Sequence, residues 1–270
     1  MSTRRKVLRG LASALGLGVT GAWATEKQTL DENRNQLLRM LVTGYDNSNL
    51  KITKAPAIDD SVCILTQAQV EGPYHLSAPM RANVTEGKAG VPFELSIQVV
   101  EADGCTPLTG ATVEIWHCDA QGIYSAHLGL SRDIYGSLEY LNWDVATTKS
   151  PSNDERWLRG AQKTDRNGIV RFETIFPGWY DMRAPHIHFK IGNPNGELFT
   201  SQFYFDDSVA NNIYRSHSDY KDYGDSPYSA KNDLGIMVVG GAEGLLLDVG
   251  ELESGSVQAS AKVGIEVSRI

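Results

Sequence analysis

Several short stretches of this chain alternate apolar and polar residues between Gly, Pro and Asp turns, the pattern of half-buried strands. Phe93, Leu95, Ile97 and Val99 alternate with Glu94, Ser96 and Gln98, and an Asp103-Gly104 turn follows. Ala111, Val113 and Ile115 alternate with Thr112 and Glu114 and run into Trp116-His117-Cys118. Val170, Phe172 and Thr174 continue the theme. Over 198–205, Phe199, Ser201, Phe203 and Phe205 take one face, and Thr200, Gln202 and Tyr204 the other. A pair at 245–249 and 257–267 closes the series. Many short strands without an internal repeat predict an all-β fold, an antiparallel sandwich or barrel. Before it, Thr29-Leu30-Asp31-Glu32 is a capping-box pattern ahead of Leu37, Leu38, Met40 and Leu41, with Gly44 as the stop, so one short N-terminal helix is expected. Residues 45–60 are polar and irregular, which sets a domain boundary near 60. Residues 125–162 form a long polar segment with few strand signals, as expected of a loop over a functional site.

The stretch 168–191, GIVRFETIFPGWYDMRAPHIHFKI, carries the candidate chemistry. In a strand, His186 and His188 share one face with Lys190, while Ile187, Phe189 and Ile191 share the other, the core side. Pro177-Gly178-Trp179-Tyr180 is a turn able to bring a phenol back toward the two imidazoles. Two imidazoles and a phenol outline a metal site, since imidazole suits zinc, copper and iron alike. A His-x-His pair taken alone also fits a solvated strand face.

The chain has 270 residues and a net charge of −8. Residues 1–24 hold Arg4, Arg5, Lys6 and Arg9 and no acid; without them 21 basic residues face 33 acidic ones, or −12. That acidity argues against nucleic acid or an anionic membrane surface as partner. No apolar run is long enough to span a membrane. The basic start, the Gly/Ala-rich run over 11–22 and Ala22-Trp23-Ala24 read as a twin-Arg-type signal peptide over 1–24, cut near Ala24. A helix and linker over 25–60 and a catalytic domain over 61–270 then follow. The mature chain is expected to be periplasmic or secreted. Cys63, Cys105 and Cys118 fit an oxidising compartment with one disulfide and one thiol left over, and the spacing does not say which two pair.

The motifs Glu71-Gly72-Pro73-Tyr74, Gln121-Gly122-Ile123-Tyr124, Thr164-Asp165-Arg166-Asn167-Gly168, Pro177-Gly178-x-Tyr180 and Arg183-x-x-His186-Ile187-His188-Phe189 resemble the intradiol ring-cleavage dioxygenases, the catechol, hydroxyquinol and protocatechuate enzymes. The resemblance covers roughly residues 63–206. It implies a β-sandwich and a non-haem iron(III) ion held by Tyr124, Tyr180, His186 and His188. Phenolate is a hard anionic donor that favours iron(III). It further implies a small aromatic diol and dioxygen as substrates, a cis,cis-muconate-type product, and a role in aromatic compound catabolism. Tyr180 would also act in catalysis by accepting a substrate proton, and Arg183 and Gln202 would stabilise charge on the substrate.

Tyr135 and Tyr140 compete with Tyr124 for one ligand position, and His117 is an extra candidate better read as a satisfied strand-end histidine. Three departures stand out from the family pattern. Only five residues separate Tyr180 from His186, the interval from Tyr124 to Tyr180 is long, and the extended helical dimerisation region is missing. Oligomeric state is left open. Two rival readings remain: a non-catalytic binding module for aromatic or carbohydrate ligands on the same scaffold, and a hydrolytic zinc or copper site. The tyrosine pair argues against the latter, because zinc sites are built mainly from His, Cys and carboxylates.

Overall fold

A computed structural model describes residues 50–58, 62–127, 150–180, 182–192, 196, 198–222, 224–251 and 255–267. The expected signal peptide, the expected helix over 29–44 and most of the polar segment over 125–162 lie outside these residues. Strands β1 (Lys51–Lys54), β2 (Pro92–Glu101), β3 (Thr112–Trp116), β4 (Arg159–Lys163), β5 (Ile169–Ile175), β6 (His186–Gly192) and β7 (Leu198–Phe205) come first. Helices α1 (Asp207–Ser216), α2 (Ser218–Lys221) and α3 (Leu234–Val239) follow, then β8 (Gly241–Leu247), β9 (Val249–Glu251) and β10 (Val257–Ile265).

The strands form a six-stranded sheet in the order β1-β8-β7-β6-β3-β4 and a four-stranded sheet in the order β5-β2-β10-β9. Phe93, Leu95, Ile97 and Val99 of β2, Val113 and Ile115 of β3, and Ile187, Phe189 and Ile191 of β6 meet in one buried core. Alternation thus puts one face of each sheet inward, and burying it drives the sandwich. Phe189 stacks on Phe203 across the β6–β7 pair, ring centroids 4.3 Å apart. The expected β-sandwich is the observed architecture.

Its sheets are mixed rather than wholly antiparallel. β1 and β7 both run parallel to β8, and β2 runs parallel to β10. The helices between β7 and β8 make the crossover that a parallel return requires. The expected C-terminal strand pair is also split, with β8 in the larger sheet and β10 in the smaller. β1 lies in the stretch read as polar linker, and β4 in the polar segment; neither shows apolar alternation, and each owes its strand form to its partner, β8 and β3 respectively. The three helices after β7 were not expected from the sequence. α1 is capped by Asp206, whose side chain accepts from the Ser208 N–H, and it buries Ala210, Ile213 and Tyr214.

Candidate metal centre

The centre lies on the outer face of the six-stranded sheet. β6 runs between β7 and β3, with His186 opposite Tyr204, and His188 opposite Gln202 on one side and Trp116 on the other. The core-facing residues between them pin the register, because a one-residue slip would bury the histidines in the apolar core. Tyr124 arrives by a turn that follows β3, and Tyr180 by the turn that leads from β5 toward β6. These turns press together at two glycines. A Cβ on Gly178 would lie 2.6 Å from the Ala120 carbonyl oxygen, and one on Gly122, whose φ is +77°, would lie 2.2 Å from that of Trp179. Backbone packed this closely sets the rings of Tyr124 and Tyr180 edge to face, centroids 5.7 Å apart. Arg183 N–H then bonds the Tyr180 carbonyl at 3.0 Å, closing a tight turn with Met182 at φ 62°. This turn accommodates the short connection to His186.

Three donors converge on a fourth, His186 Nε2: His188 Nε2 at 3.1 Å, Tyr180 Oη at 3.2 Å and Tyr124 Oη at 3.3 Å. His186 Nδ1–H donates to the Ala184 carbonyl at 2.6 Å, so its Nε2 carries a bare lone pair toward the cluster. All four side chains are buried. Burial, then the Arg183 guanidinium, hold the His186 imidazole well below its ordinary pKa; burial, then His186, do the same for His188. Both rings are therefore neutral at pH 7, the form that ligates metals. Burial, then Tyr180, push the Tyr124 phenol well up, and only a cation nearby would reverse that.

This donor set fits one first-row metal ion. Two phenol oxygens and two imidazole nitrogens face one another here, a mix of hard anionic and borderline donors that such an ion accepts. Donors about 2 Å from a common ion stand roughly 3 Å from one another, the observed spacing. No group of three or more His, Cys, Asp or Glu placed to hold a metal ion occurs among the described residues.

Arg183 and Gln202 stand directly behind the donors. Arg183 is buried and donates through Nη1 to Tyr180 Oη at 3.3 Å and through Nη2 to Gln202 Oε1. Gln202 Nε2 donates to the Val70 carbonyl at 2.6 Å, and Tyr204 Oη–H donates to Gln202 Oε1 at 3.2 Å. His117 stands apart from the cluster: its Nδ1–H bonds the Cys118 carbonyl at 2.7 Å, and its Nε2 accepts from Thr174 Oγ1 at 2.7 Å. Tyr135 and Tyr140 lie outside the described residues. The disulfide joins Cys63 to Cys105, and Cys118 is the buried free thiol.

Three further side chains border the centre that no sequence motif assigns to it. Trp116 stacks on His188, Tyr74 stacks on Tyr124 at 4.5 Å, and Arg159 is buried beneath the Tyr124 ring, its guanidinium donating to Ser125 and to the Tyr74 carbonyl. Burial holds the Arg159 pKa down at about 10. Trp116 was legible in principle, since it shares the alternation face of Glu114 on β3. A cleft of about 730 Å³ between α1 and β9 shares no residue with the centre.

No protein-family model matches the sequence. Over 165 residues the chain is 26% identical to "Catechol 1,2-dioxygenase 1" of Acinetobacter lwoffii, covering 51% of this chain and 45% of that protein. Over 190 residues it is 24% identical to a "Chlorocatechol 1,2-dioxygenase" of Cupriavidus pinatubonensis, covering 62% and 63%. The chain thus spans about half to under two thirds of these relatives' lengths. Among solved structures it is similar to an "Intradiol ring-cleavage Dioxygenase from Tetranychus urticae", with 29% identity, TM-score 0.64, and coverage of 77% of this chain and 98% of that one. The fold is shared with a "Hydroxyquinol 1,2-dioxygenase from Pseudomonas putida DLL-E4" at 17% identity and TM-score 0.53.

Proposed function

We propose that this chain, a relative of the intradiol ring-cleavage dioxygenases in sequence and fold, cleaves a catechol-type aromatic between its two hydroxyl-bearing carbons with dioxygen. The observation that carries this reading is the convergence of two phenols and two neutral imidazoles at His186 Nε2. Tyr124, Tyr180, His186 and His188 would hold a ferric ion, since hard phenolates favour iron(III). When bound, that ion lowers the cost of ionising the diol and allows dioxygen to add to the electron-rich ring.

The chain's own groups do the rest. Tyr180 Oη accepts a proton from a substrate hydroxyl. Arg183, 3.3 Å from that oxygen, offsets negative charge gathering there, and its burial in a low dielectric strengthens the effect. Gln202 accepts from Arg183 and holds it toward the donors. The packed rings of Tyr74 and Trp116 keep water from the donors. One C–C bond breaks, both dioxygen atoms enter the product, and a muconate-type diacid leaves without a further oxidant.

We further propose, from the signal-peptide pattern over 1–24, that the mature chain is periplasmic or secreted. The Cys63–Cys105 bridge supports an oxidising compartment. Visible spectroscopy of the iron-loaded chain, with catechol added without oxygen, tests the function. A broad tyrosinate-to-iron band that shifts with catechol, followed by muconate absorbance once air is admitted, is expected. A protein that stays colourless after iron reconstitution would sink the reading and favour a binding module.

A further inference from the structure

A buried acid outside the donor set grips Arg183, a cation beside that set. Asp233 is fully buried, and it lies 50 positions along the chain from Arg183. Its Oδ2 accepts from Arg183 Nε at 2.8 Å and from the Ala184 backbone N–H at 2.8 Å. Its Oδ1 accepts from the Ile236 N–H at 2.8 Å, capping α3. One carboxylate therefore ties the start of α3 to the two residues just ahead of the histidine strand. The guanidinium anchored in this way directs Nη1 to Tyr180 Oη and Nη2 to Gln202. Gly235 leaves the space it needs: a Cβ there would lie 2.8 Å from Arg183 Nη2.

We propose that Asp233 is a positioning residue for ring cleavage, fixing the rotation and reach of Arg183 so that its charge meets Tyr180 Oη and the substrate beside it. An arginine side chain has many rotamers, and its planar fork carries specificity only when one edge is held. Asp233 takes the Nε edge, which leaves the Nη edge aimed at the site. The carboxylate also supplies the counter-charge that a buried guanidinium requires. This inference rests on the dioxygenase reading, because only there does the direction of Arg183 bear on a reaction.

The test uses the iron-loaded full chain as D233N, G235A, R183Q and the R183Q/D233N double variant, with kcat and KM for catechol and iron content measured for each. D233N is expected to lose about 10- to 100-fold in kcat, as loss of a partner that orients a site residue commonly does, with KM and iron content little changed. Because Asp233 acts through Arg183, the double variant should be no slower than R183Q alone. G235A, whose Cβ would lie 2.8 Å from Arg183 Nη2 and 3.0 Å from Asp233 Oδ1, should lower kcat as well by crowding the same pair. Full kcat in D233N, or multiplied losses in the double variant, would overturn the proposal. Were the parent protein to cleave no diol, the functional reading would have failed instead. The crystal structure of D233N then decides the positioning alone: a guanidinium turned away from Tyr180 supports it, and one left in place overturns it.

Discussion

The indole of Trp116 lies flat against the imidazole of His188, centroids 4.8 Å apart and planes 8° apart. Metal-binding histidines are usually oriented by a hydrogen bond from the second ring nitrogen. His188 Nδ1 is buried and has no such partner among the described residues, so the stacked indole performs that orientation. Trp116→Leu should therefore weaken iron retention about tenfold or more and cost about 3 kcal/mol or more of stability. Trp116→Phe, which keeps a ring, should retain most of the iron. Competition with a chelator measures the first effect and urea unfolding the second; equal iron affinity in all three proteins would remove the stacking argument.

Gly178 touches no donor, yet the two tyrosines depend on it. A Cβ there would sit 2.6 Å from the Ala120 carbonyl oxygen and 2.7 Å from that of Asp119. Gly178→Ala should push the two turns apart and cost about 1–3 kcal/mol, as overpacking does. It should also lower the iron bound per chain by moving Tyr180 off Tyr124. Metal analysis after dialysis checks this, and a fully loaded variant would contradict it.

Acid should destabilise the fold through His117 well before its carboxylates are protonated. Burial holds its pKa down at about 4, against 6.5 for a free imidazole. Below pH 6.5 the unfolded chain therefore binds a proton that the folded chain refuses. The stability contributed by the neutral ring is complete above pH 6.5 and is lost as the pH falls toward 4, about 3 kcal/mol in all. Urea midpoints between pH 7.5 and 4.5 should fall steeply for the parent and less so for His117→Gln, whose amide does not titrate. Parallel pH profiles for the two proteins would refute this assignment.

The Cys63–Cys105 bridge closes a separation of 42 residues, joining the segment ahead of the core strands to the turn after β2. Chain-entropy reasoning gives such a loop about 4 kcal/mol. Cys63→Ser, or reduction of the parent, should lower stability by an amount of that order and leave the bound iron unchanged. Cys118 is buried with its thiol pushed well up, so it should resist alkylation until the protein unfolds. Mass spectrometry of alkylated native and urea-treated samples reads this directly.

Legibility in the sequence followed the range of the interaction. β2, β3, β5, β6 and β7 could be read from alternation, because a strand with one buried face repeats every second residue whatever its partner. For the same reason His186 and His188 could be put on one face with Lys190, and Gln202 with Tyr204, before any partner was known. The α1 helix left only Ala210, Ile213 and Tyr214 as its apolar face, too brief a signal beside the strands around it.

By itself, then, the sequence determined the all-β class, the inward and outward sets of each strand, and the residue types of the centre. These are local properties of backbone geometry and side-chain chemistry. The tertiary structure alone decided that β10 returns parallel to β2, that Arg159–Lys163 becomes a strand, and that Cys63 rather than Cys118 meets Cys105. It also decided that Asp233 closes on Arg183 from 50 residues away. Such partners are chosen by which surfaces the two sheets leave facing one another, and the periodicity of a strand encodes its own faces but not its neighbour.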